Sequence, residues 1–184
     1  MKNTKVKLVP MEKNDRKQFV LDNQRAFKYG AIEEFGRRDE HFEEEGEIIS
    51  RKTIEDSMDA DYAEIYRIVA DGKIVGGVII SINLNTNYNE LVLFFVNPEV
   101  HSHGIGYAAW REIEKLHPET EVWETCTPYF ETRNIHFYIN KCGFHAVEFF
   151  NIHHPNSHMP DGDPDGNQEG DGDDMMFRFE KVMK

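Results

Sequence analysis

The sequence has few cysteines, no long apolar run and no excess of positive charge, and each absence excludes a class of protein. Two cysteines, Cys126 and Cys142, among 184 residues give no disulfide framework, and no C-x-x-C pair is present to bind structural zinc. No apolar run approaches the roughly 18–20 residues of a membrane-spanning helix. The N-terminus lacks the apolar segment of a secretory signal. We therefore expect a cytoplasmic protein with reduced thiols.

The charge balance disfavours two further kinds of partner. With 34 acidic and 21 basic residues, the formal net charge is −13. Nucleic acids and anionic membrane surfaces both require a positive patch, which this composition does not favour. Hydrophobic residues nevertheless make up 39% of the chain, which is enough for one globular domain with a substantial core. The prediction is a single domain, residues 1–184, that binds neither nucleic acid nor membrane.

Apolar periodicity predicts seven strands and four helices. Asp71-Gly72 between two β-rich runs is a strong hairpin signal, and the third of these runs completes an antiparallel meander. The first helix is expected to bury Phe19, Val20, Ala26 and Phe27. The predicted strands are 5–11, 63–70, 73–83, 90–96, 122–127, 144–151 and 175–182, and the predicted helices are 15 to about 34, about 50–58, 104–116 and 134–141. This is a mixed α+β fold with a mostly antiparallel mixed sheet.

One segment differs in composition from the rest of the chain. Residues 156–174 consist largely of Gly, Asp and Pro, with almost no apolar content. Such a segment has little apolar surface to bury when it folds. It is predicted to be a flexible acidic loop between the last two strands.

The stretch 90–115 is the most informative part of the chain. Six apolar residues, 91–96, precede an Asn-Pro pair, and Gly104 and Gly106 then open an amphipathic helical pattern. A helix N-terminus carries unpaired N–H groups and the positive end of the helix dipole, so it suits an anion such as a pyrophosphate. Glycine lacks a Cβ, so the backbone can approach a ligand closely. A dinucleotide-binding Rossmann unit is disfavoured because only G-x-G of its G-x-G-x-x-G fingerprint is present.

This stretch resembles the acetyl-CoA motif of the GNAT superfamily of N-acetyltransferases, V-x-P-x-x-[Q/R]-x-x-G-x-[G/A]. Val96, Pro98, Gly104 and Gly106 match that motif in order and spacing, whereas His101 stands where the family has Gln or Arg. The predicted order of strands and helices is also the family order. The resemblance in element order covers essentially the whole chain.

A second resemblance lies at residues 134–144, where NIHFYINKCGF is similar to the family pattern N…FY-x-x-x-GF. In the family this helix packs beside the cofactor, with the tyrosine near the sulfur. Four residues separate Tyr138 from Gly143, where three are usual. Either Tyr138 keeps the family position with a longer turn after it, or Ile139 takes that position.

The resemblance implies that the protein transfers an acetyl group from acetyl-CoA, as cosubstrate, to a primary amine that attacks the thioester directly. It also implies that Glu90, at the place of the catalytic glutamate in the histone-type branch, is the general base, and that Tyr138 is the acid. A backbone N–H at Phe95 or Val96 would polarise the thioester oxygen. The alternative without a catalytic role is that Glu90 is a solvated residue at a strand end and that Tyr138 is half-buried under the next strand. The expected cofactor-binding residues are Phe95, Val96, His101, Ser102, His103, Gly104, Ile105, Gly106, Asn134 and Tyr138.

Two acidic segments are expected to flank the acceptor. Residues 33–47 carry eight acidic side chains and residues 161–174 carry seven. In GNAT folds the region of the first two helices and the loop between the last two strands border the acceptor cleft. The resemblance implies a small-molecule or peptide amine as the acceptor, and the two acidic segments favour a cationic one: a polyamine, an aminoglycoside or a basic peptide amine. The alternative is that both segments are solvated surfaces that keep the protein soluble.

The acidic loop also invites a calcium interpretation, which the sequence does not favour. Asp161, Asp163, Asp165 and Gly166 fit positions 1, 3, 5 and 6 of an EF-hand loop, but position 12 falls on Gly172 rather than Glu. Without the bidentate carboxylate and flanking helices, no metal site is predicted. A nearby histidine cluster is better explained as an exposed loop; its members are His153, His154 and His158.

Two hypotheses from other functional classes stay open. The first is a catalytically silent member that binds acetyl-CoA as a sensing or interaction module. It is kept open by His101 and by the altered spacing after Tyr138. The second is a homodimeric scaffold whose Phe-rich last strands pair between chains, although an active acetyltransferase could also dimerise. Turnover on a broad amine panel separates the enzyme from the silent module, and sedimentation tests the dimer.

Overall fold

A computed structural model describes residues 5–34, 47–101, 104–156 and 175–183. These residues form seven strands of a mixed sheet and four α-helices, so the predicted fold class is confirmed. The strands are β1 (Val6–Pro10), β2 (Ala63–Ala70), β3 (Lys73–Ser81), β4 (Tyr88–Val96), β5 (Val122–Pro128), β6 (His145–Phe150) and β7 (Met176–Val182). The helices are α1 (Arg16–Lys28), α2 (Arg51–Asp59), α3 (Ile105–Leu116) and α4 (Thr132–His136).

The chain divides into two compact units, Met1–Trp123 with Val182–Lys184, and Glu124–Lys181. A single domain over residues 1–184 therefore stays a prediction. The predicted acidic loop, apart from its first residue, lies outside the described residues. Within the ranges that are described, no helix has both the length and the apolar character needed to cross a bilayer.

The first unit is built on the antiparallel strands β1, β2, β3 and β4, in that order. Asp71 and Gly72 both have positive φ, +48° and +79°, as the predicted two-residue hairpin requires. In the β3–β4 pair, Ile79 faces Leu93 and Ile80 faces Leu91, so Val92 is an extra residue on β4. Such a bulge bends the strand and increases its local twist.

The core of the first unit brings α1 very close to β3. Phe19 and Val20 are fully buried, as the helical pattern predicts. The Phe19 and Phe95 rings meet edge to face with centroids 5.2 Å apart. A Cβ on Gly77 would lie 2.4 Å from the Phe19 ring and 2.8 Å from the Phe95 ring. Glycine at this position therefore lets the two rings pack directly over β3.

Polar side chains also fix the helices of the first unit. Ser50 caps α2, where its hydroxyl accepts a hydrogen bond from the Thr53 N–H at 3.0 Å. Arg67, which is 3% exposed, bonds Asp15 at 2.5 Å and Asp22 at 2.8 Å. The pairing satisfies a cation that would otherwise be costly to bury.

In the second unit, β7 lies between β5 and β6, and β6 pairs with β7 in antiparallel register. Tyr138 packs against Phe144 and Phe179, with ring centroids 5.6 Å and 5.9 Å away. Arg178 forms ion pairs with three carboxylates, at distances of 2.6 to 2.8 Å; they are Glu124, Glu148 and Glu180. These charges satisfy one another.

Two helices differ from the sequence prediction in the same way. The helix expected over 15 to about 34 is α-helical only to Lys28 and continues as a π-helical turn, Tyr29–Glu34. The helix expected over 134–141 is α-helical from Thr132 to His136, followed by a π-helical turn, Phe137–Cys142. A π-turn bonds residue i to i+5 and so holds one more residue than an α-turn. Apolar periodicity alone does not reveal this extra residue.

Candidate active site

The end of β4 presents backbone groups that do not pair with β3. The Asn97 N–H bonds the Val75 carbonyl at 2.8 Å, and Phe95 lies opposite Gly77. Hydrogen-bonded pairs alternate in an antiparallel ladder, so the Phe95 N–H faces β3 while the N–H groups of Val96 and Phe94 point away from it. Of the two residues expected to polarise a thioester, Val96 is the one whose N–H points away from β3.

Phe94 is a candidate that sequence reasoning missed. Its N–H points away from β3, like that of Val96. Phe94 lies four residues beyond Glu90 in β4, which is about 13 Å along the strand. Finding it requires the β3–β4 register, which the bulge at Val92 shifts. The apolar run 91–96 contains no signal for that bulge.

The loop after β4 leads into a helix N-terminus with an open approach. A 3₁₀ turn, Pro98–Val100, precedes His101, whose Nε2 lies 2.8 Å from the Val96 carbonyl oxygen. A carbonyl only accepts, so this nitrogen carries the proton. Gly104 caps α3 with φ +73°, and a Cβ there would meet nothing within 4 Å. Ser102 and His103 lie outside the described residues.

The first turn of α3 has the geometry of an anion site. The first helical bond runs from the Ala108 N–H to the Gly104 carbonyl at 3.0 Å, so the N–H groups of Ile105, Gly106 and Tyr107 precede it. The helix has 12 residues, enough for a sizeable dipole. Left-handed backbone, open space and amide donors together fit a phosphate group.

Glu90 occupies a different place in β4 than expected. The strand begins at Tyr88, two residues before the predicted start, so Glu90 is the third residue of the strand rather than its first. It is half-buried and lies opposite Ser81. The neighbouring Asn89 is buried and holds the β3–β4 turn by accepting from the Asn83 N–H and donating to Thr120. This side-chain amide extends the strand past its apolar run.

In the second unit, the π-turn orients Tyr138 inward. Tyr138 is 6% exposed, whereas Ile139 is 39% exposed. Burial raises the pKa of the Tyr138 phenol well above its usual value, and a hydrogen bond with the Thr125 hydroxyl partly opposes this. The phenol is therefore neutral at physiological pH.

Asn134 lies one helical turn before Tyr138 in the second unit. Its side-chain amide donates to the Glu131 carboxylate. This contact fixes the amide at the start of α4. The expected pair, Asn134 and Tyr138, thus shares one helical segment.

The structure describes both cysteines and two of the three histidines in the predicted cluster. Cys126 and Cys142 are free thiols. The His154 ring contacts the Glu148 carboxylate at 2.7 Å, and His153 bonds the Asn151 side chain through its backbone N–H. His158 lies outside the described residues. Across the described ranges, no group of three or more His, Cys, Asp or Glu side chains is arranged to hold a metal ion.

Comparison with known proteins decides the family. The model of the acetyltransferase (GNAT) family matches residues 26–144, which is more than half of the chain. The chain belongs to the GNAT family of acetyltransferases. A Bacillus subtilis (strain 168) relative, the uncharacterized protein YrkN, is 47% identical over 180 residues, which cover 98% of this chain and 95% of the relative.

Solved GNAT structures have the same fold. The ribosomal-protein-S18-alanine N-acetyltransferase of Escherichia coli superposes with a TM-score of 0.66 at 14% identity, over 98% of this chain and 95% of that one. The spermidine N-acetyltransferase of Vibrio cholerae, solved with CoA and spermine, gives 0.63 at 12% identity, over 96% and 95%. At such low identity these likenesses concern the fold alone.

Proposed function

We propose that this GNAT protein transfers the acetyl group of acetyl-CoA to a primary amine in the cytoplasm. The observation that carries the proposal is Gly104, a left-handed residue with open space above it at the N-terminus of α3. A pyrophosphate there would meet the amides of Ile105 and Gly106 and the positive end of the dipole. The CoA held by the Vibrio cholerae structure supports the same cosubstrate.

The proposed reaction needs a general base, a hydrogen-bond donor to the carbonyl oxygen and a proton donor to the thiolate. The amine gives a proton to a base and attacks the thioester carbonyl; a C–N bond forms, the C–S bond breaks, and the thiolate takes a proton. Glu90 is the proposed base. An N–H of Val96 or Phe94 is the proposed donor to the carbonyl oxygen, since both point away from β3. Tyr138 is the proposed proton donor to the thiolate.

The environment of Tyr138 supports one form of that role. A phenol with a raised pKa keeps its proton at physiological pH and can donate a hydrogen bond to a sulfur. The raised pKa also makes it a weaker acid than a solvated tyrosine, so we propose that it first donates a hydrogen bond to the departing thiolate and then gives up its proton to that sulfur. Its inward direction, in contrast to the exposed Ile139, supports Tyr138 as the residue in the family tyrosine position.

Replacement of Tyr138 by Phe tests this role. We expect a lower kcat with little change in acetyl-CoA affinity, because the ring packing is kept and only the hydroxyl is removed. Thr125→Val is the matched control, since it removes the hydroxyl partner of Tyr138 and leaves the phenol. A Tyr138→Phe enzyme with full turnover would make the tyrosine purely structural.

Replacement of Glu90 by Gln tests the base. The expected loss of turnover is largest at low pH, where the amine holds its proton most firmly, and the pH–rate profile measures it. The control is Glu112→Gln on the surface of α3. The neighbouring Asn89 is unsuitable as a control because its side chain holds the β3–β4 turn. Full activity in both Glu90→Gln and Tyr138→Phe would sink the assignment of acid and base.

The acceptor class is proposed from charge. Residues 33–47 and 161–174 hold 15 acidic side chains together, which favours a cationic small molecule or a basic peptide. The names of the Escherichia coli and Vibrio cholerae proteins include a protein amine and a polyamine, so both sizes of acceptor are known in the fold. A panel of cationic, neutral and anionic amines tests the proposal. Turnover confined to neutral or anionic amines would rule out a cationic acceptor.

The same panel tests the silent-module hypothesis. Acetyl-CoA binding without turnover on any amine would make the protein an acetyl-CoA-binding sensor rather than an enzyme. Sedimentation at several concentrations tests the proposed homodimer, in which a second copy is the partner.

A further inference from the structure

One face of α1 contacts the loop after β4 at two points. Arg25 and Tyr29 are four residues apart, so their side chains lie one above the other on the helix surface. The Arg25 guanidinium pairs with the Glu99 carboxylate, and the Tyr29 ring meets the His101 ring. Glu99 and His101 are two residues apart in the loop. The two residues of the helical segment therefore contact two nearby residues of the loop, one each.

The aromatic contact connects onward to β4. The Tyr29 and His101 rings are T-shaped, with centroids 5.6 Å apart and planes at 70°. The same His101 ring donates through Nε2 to the Val96 carbonyl at 2.8 Å. Histidine provides both an aromatic face and a ring donor at this position. These two contacts are a physical reason for histidine at position 101, where the family has Gln or Arg.

The backbone of α1 changes at the contact. The α-helix ends at Lys28, and Tyr29 is the first residue of the π-helical turn Tyr29–Glu34. Such π-turns are rare and frequently occur at functional sites. Tyr29 is 36% exposed and the Arg25 side chain is 65% exposed, so neither contact is part of the apolar core. Exposed contacts of this kind add little to global stability. Their effect should fall on the position of the loop.

We propose that Arg25 and Tyr29 are positioning residues for acetyl-CoA, which hold the loop residues Asn97 to His101 against α1 and the π-turn after it, through Glu99 and His101. The inference rests on the proposed function, because it concerns the same cosubstrate site. A correctly placed loop directs the first amides of α3 at the pyrophosphate. A loop released from α1 must be ordered when the ligand binds, and that ordering lowers affinity.

Calorimetric titration with acetyl-CoA tests the aromatic contact. We expect Tyr29→Ala to bind about three- to tenfold more weakly, as the loss of one aromatic pair implies. Tyr29→Phe keeps the ring and should bind like the unmodified protein. The KM for acetyl-CoA should rise in Tyr29→Ala while kcat at saturation is kept. Equal affinity in Tyr29→Ala and the unmodified protein would overturn the inference.

The ion pair is tested by two variants with opposite charge changes. Arg25→Gln and Glu99→Gln should each weaken binding about two- to threefold, as for an exposed ion pair, and the double variant should be no weaker than either single variant. Simple electrostatics predicts that Glu99→Gln would improve binding of an anionic ligand, so weaker binding identifies the contact itself. Lys17→Gln, two turns earlier on the same helix, is the charge-matched control and should change nothing.

The outcomes separate this inference from the proposed function. No binding of acetyl-CoA by the unmodified protein would overturn the proposed function. Binding by the unmodified protein, with tighter binding in Glu99→Gln and unchanged binding in Tyr29→Ala, would overturn only the positioning role. If Tyr29→Ala does not fold, the Arg25 and Glu99 variants decide alone, because both residues lie on the surface.

Discussion

At the scale of single residues, two glycines do different work near β4. Gly77 makes room inside the core for the Phe19 and Phe95 rings, whereas Gly104 supplies a left-handed turn in open space. The first is required by packing and the second by backbone conformation. The sequence already places Gly104 at a helix start, but it gives no sign that packing requires glycine at position 77. That requirement follows only from the positions of the neighbouring rings.

Gly77→Ala should be clearly destabilising. Its Cβ would lie 2.4 Å from Phe19, so rings or backbone must move, at a cost of about 1–3 kcal/mol in the free energy of unfolding. Urea unfolding measures this cost. Gly30→Ala is the matched control because its Cβ would meet nothing within 4 Å, and it should leave stability unchanged or slightly raised. Equal effects in the two variants would contradict the packing account.

Tyr138 predicts a pH dependence of stability. Its pKa is raised by burial in the folded state, so above about pH 10 the unfolded chain loses the phenolic proton first. The unfolded state then binds fewer protons than the folded state, and stability falls as pH rises. Below the unfolded pKa this contribution is constant. Tyr138→Phe should show a shallower loss between pH 10 and 11 in thermal unfolding, and an unchanged slope would contradict the buried phenol.

At the scale of elements, the structure explains the irregular spacing after Tyr138. The π-turn Phe137–Cys142 holds an additional residue, and Gly143 with φ +82° ends it. Tyr138 thereby stays inside while Ile139 faces solvent. The two alternatives left by the sequence differ only in how that residue is accommodated, which depends on hydrogen-bond geometry.

Most element predictions rested on strong local signals. The β2–β3 hairpin was predictable because Asp71-Gly72 allows positive φ at both positions, and α2 because Ser50 can cap it. The start of β4 at Tyr88 was not, since Asn89 is polar and its buried hydrogen bonds are long-range. The bulge at Val92 was equally hidden in an apolar run. Turns and helix caps can be predicted from neighbouring residues in the sequence. Strand register and buried polar contacts cannot, because they depend on residues that are distant in the sequence.

The cap of α2 gives a prediction at this scale. Ser50→Ala removes the acceptor of the Thr53 N–H and should cost about 1 kcal/mol in urea unfolding. Ser57→Ala is the control in the same helix; its hydroxyl only donates to the Thr53 carbonyl, and Ala is the better helix former. Comparable losses in both would contradict the capping role.

At the scale of the whole molecule, charge is the property that bears on function. The net charge of −13 disfavours anionic partners, yet the proposed cosubstrate is itself an anion. The backbone amides and dipole of α3 provide a local positive potential within a negative protein. Family membership accounts for the fold and for acetyl-CoA as cosubstrate. The acidic segments 33–47 and 161–174 carry the proposal of a cationic acceptor.

Ionic strength tests the charge argument. For a cationic amine, kcat/KM should fall severalfold between low salt and about 0.5 M salt, because screening weakens long-range attraction. For a neutral amine it should change little. Steady-state rates at fixed acetyl-CoA measure both, with acetyl-CoA kept saturating so that its own binding does not contribute. Parallel salt curves for the two amines would contradict a cationic acceptor.

The central claim is that the Gly104 turn and the N-terminus of α3 bind acetyl-CoA, and calorimetric titration tests it most directly. Gly104→Val and Gly72→Val impose the same left-handed strain, at φ +73° and +79°, and both side chains would enter open space. We predict micromolar binding in the unmodified protein and in Gly72→Val, and binding at least about tenfold weaker in Gly104→Val. Equal binding in the two variants, or no binding in the unmodified protein, would contradict the account.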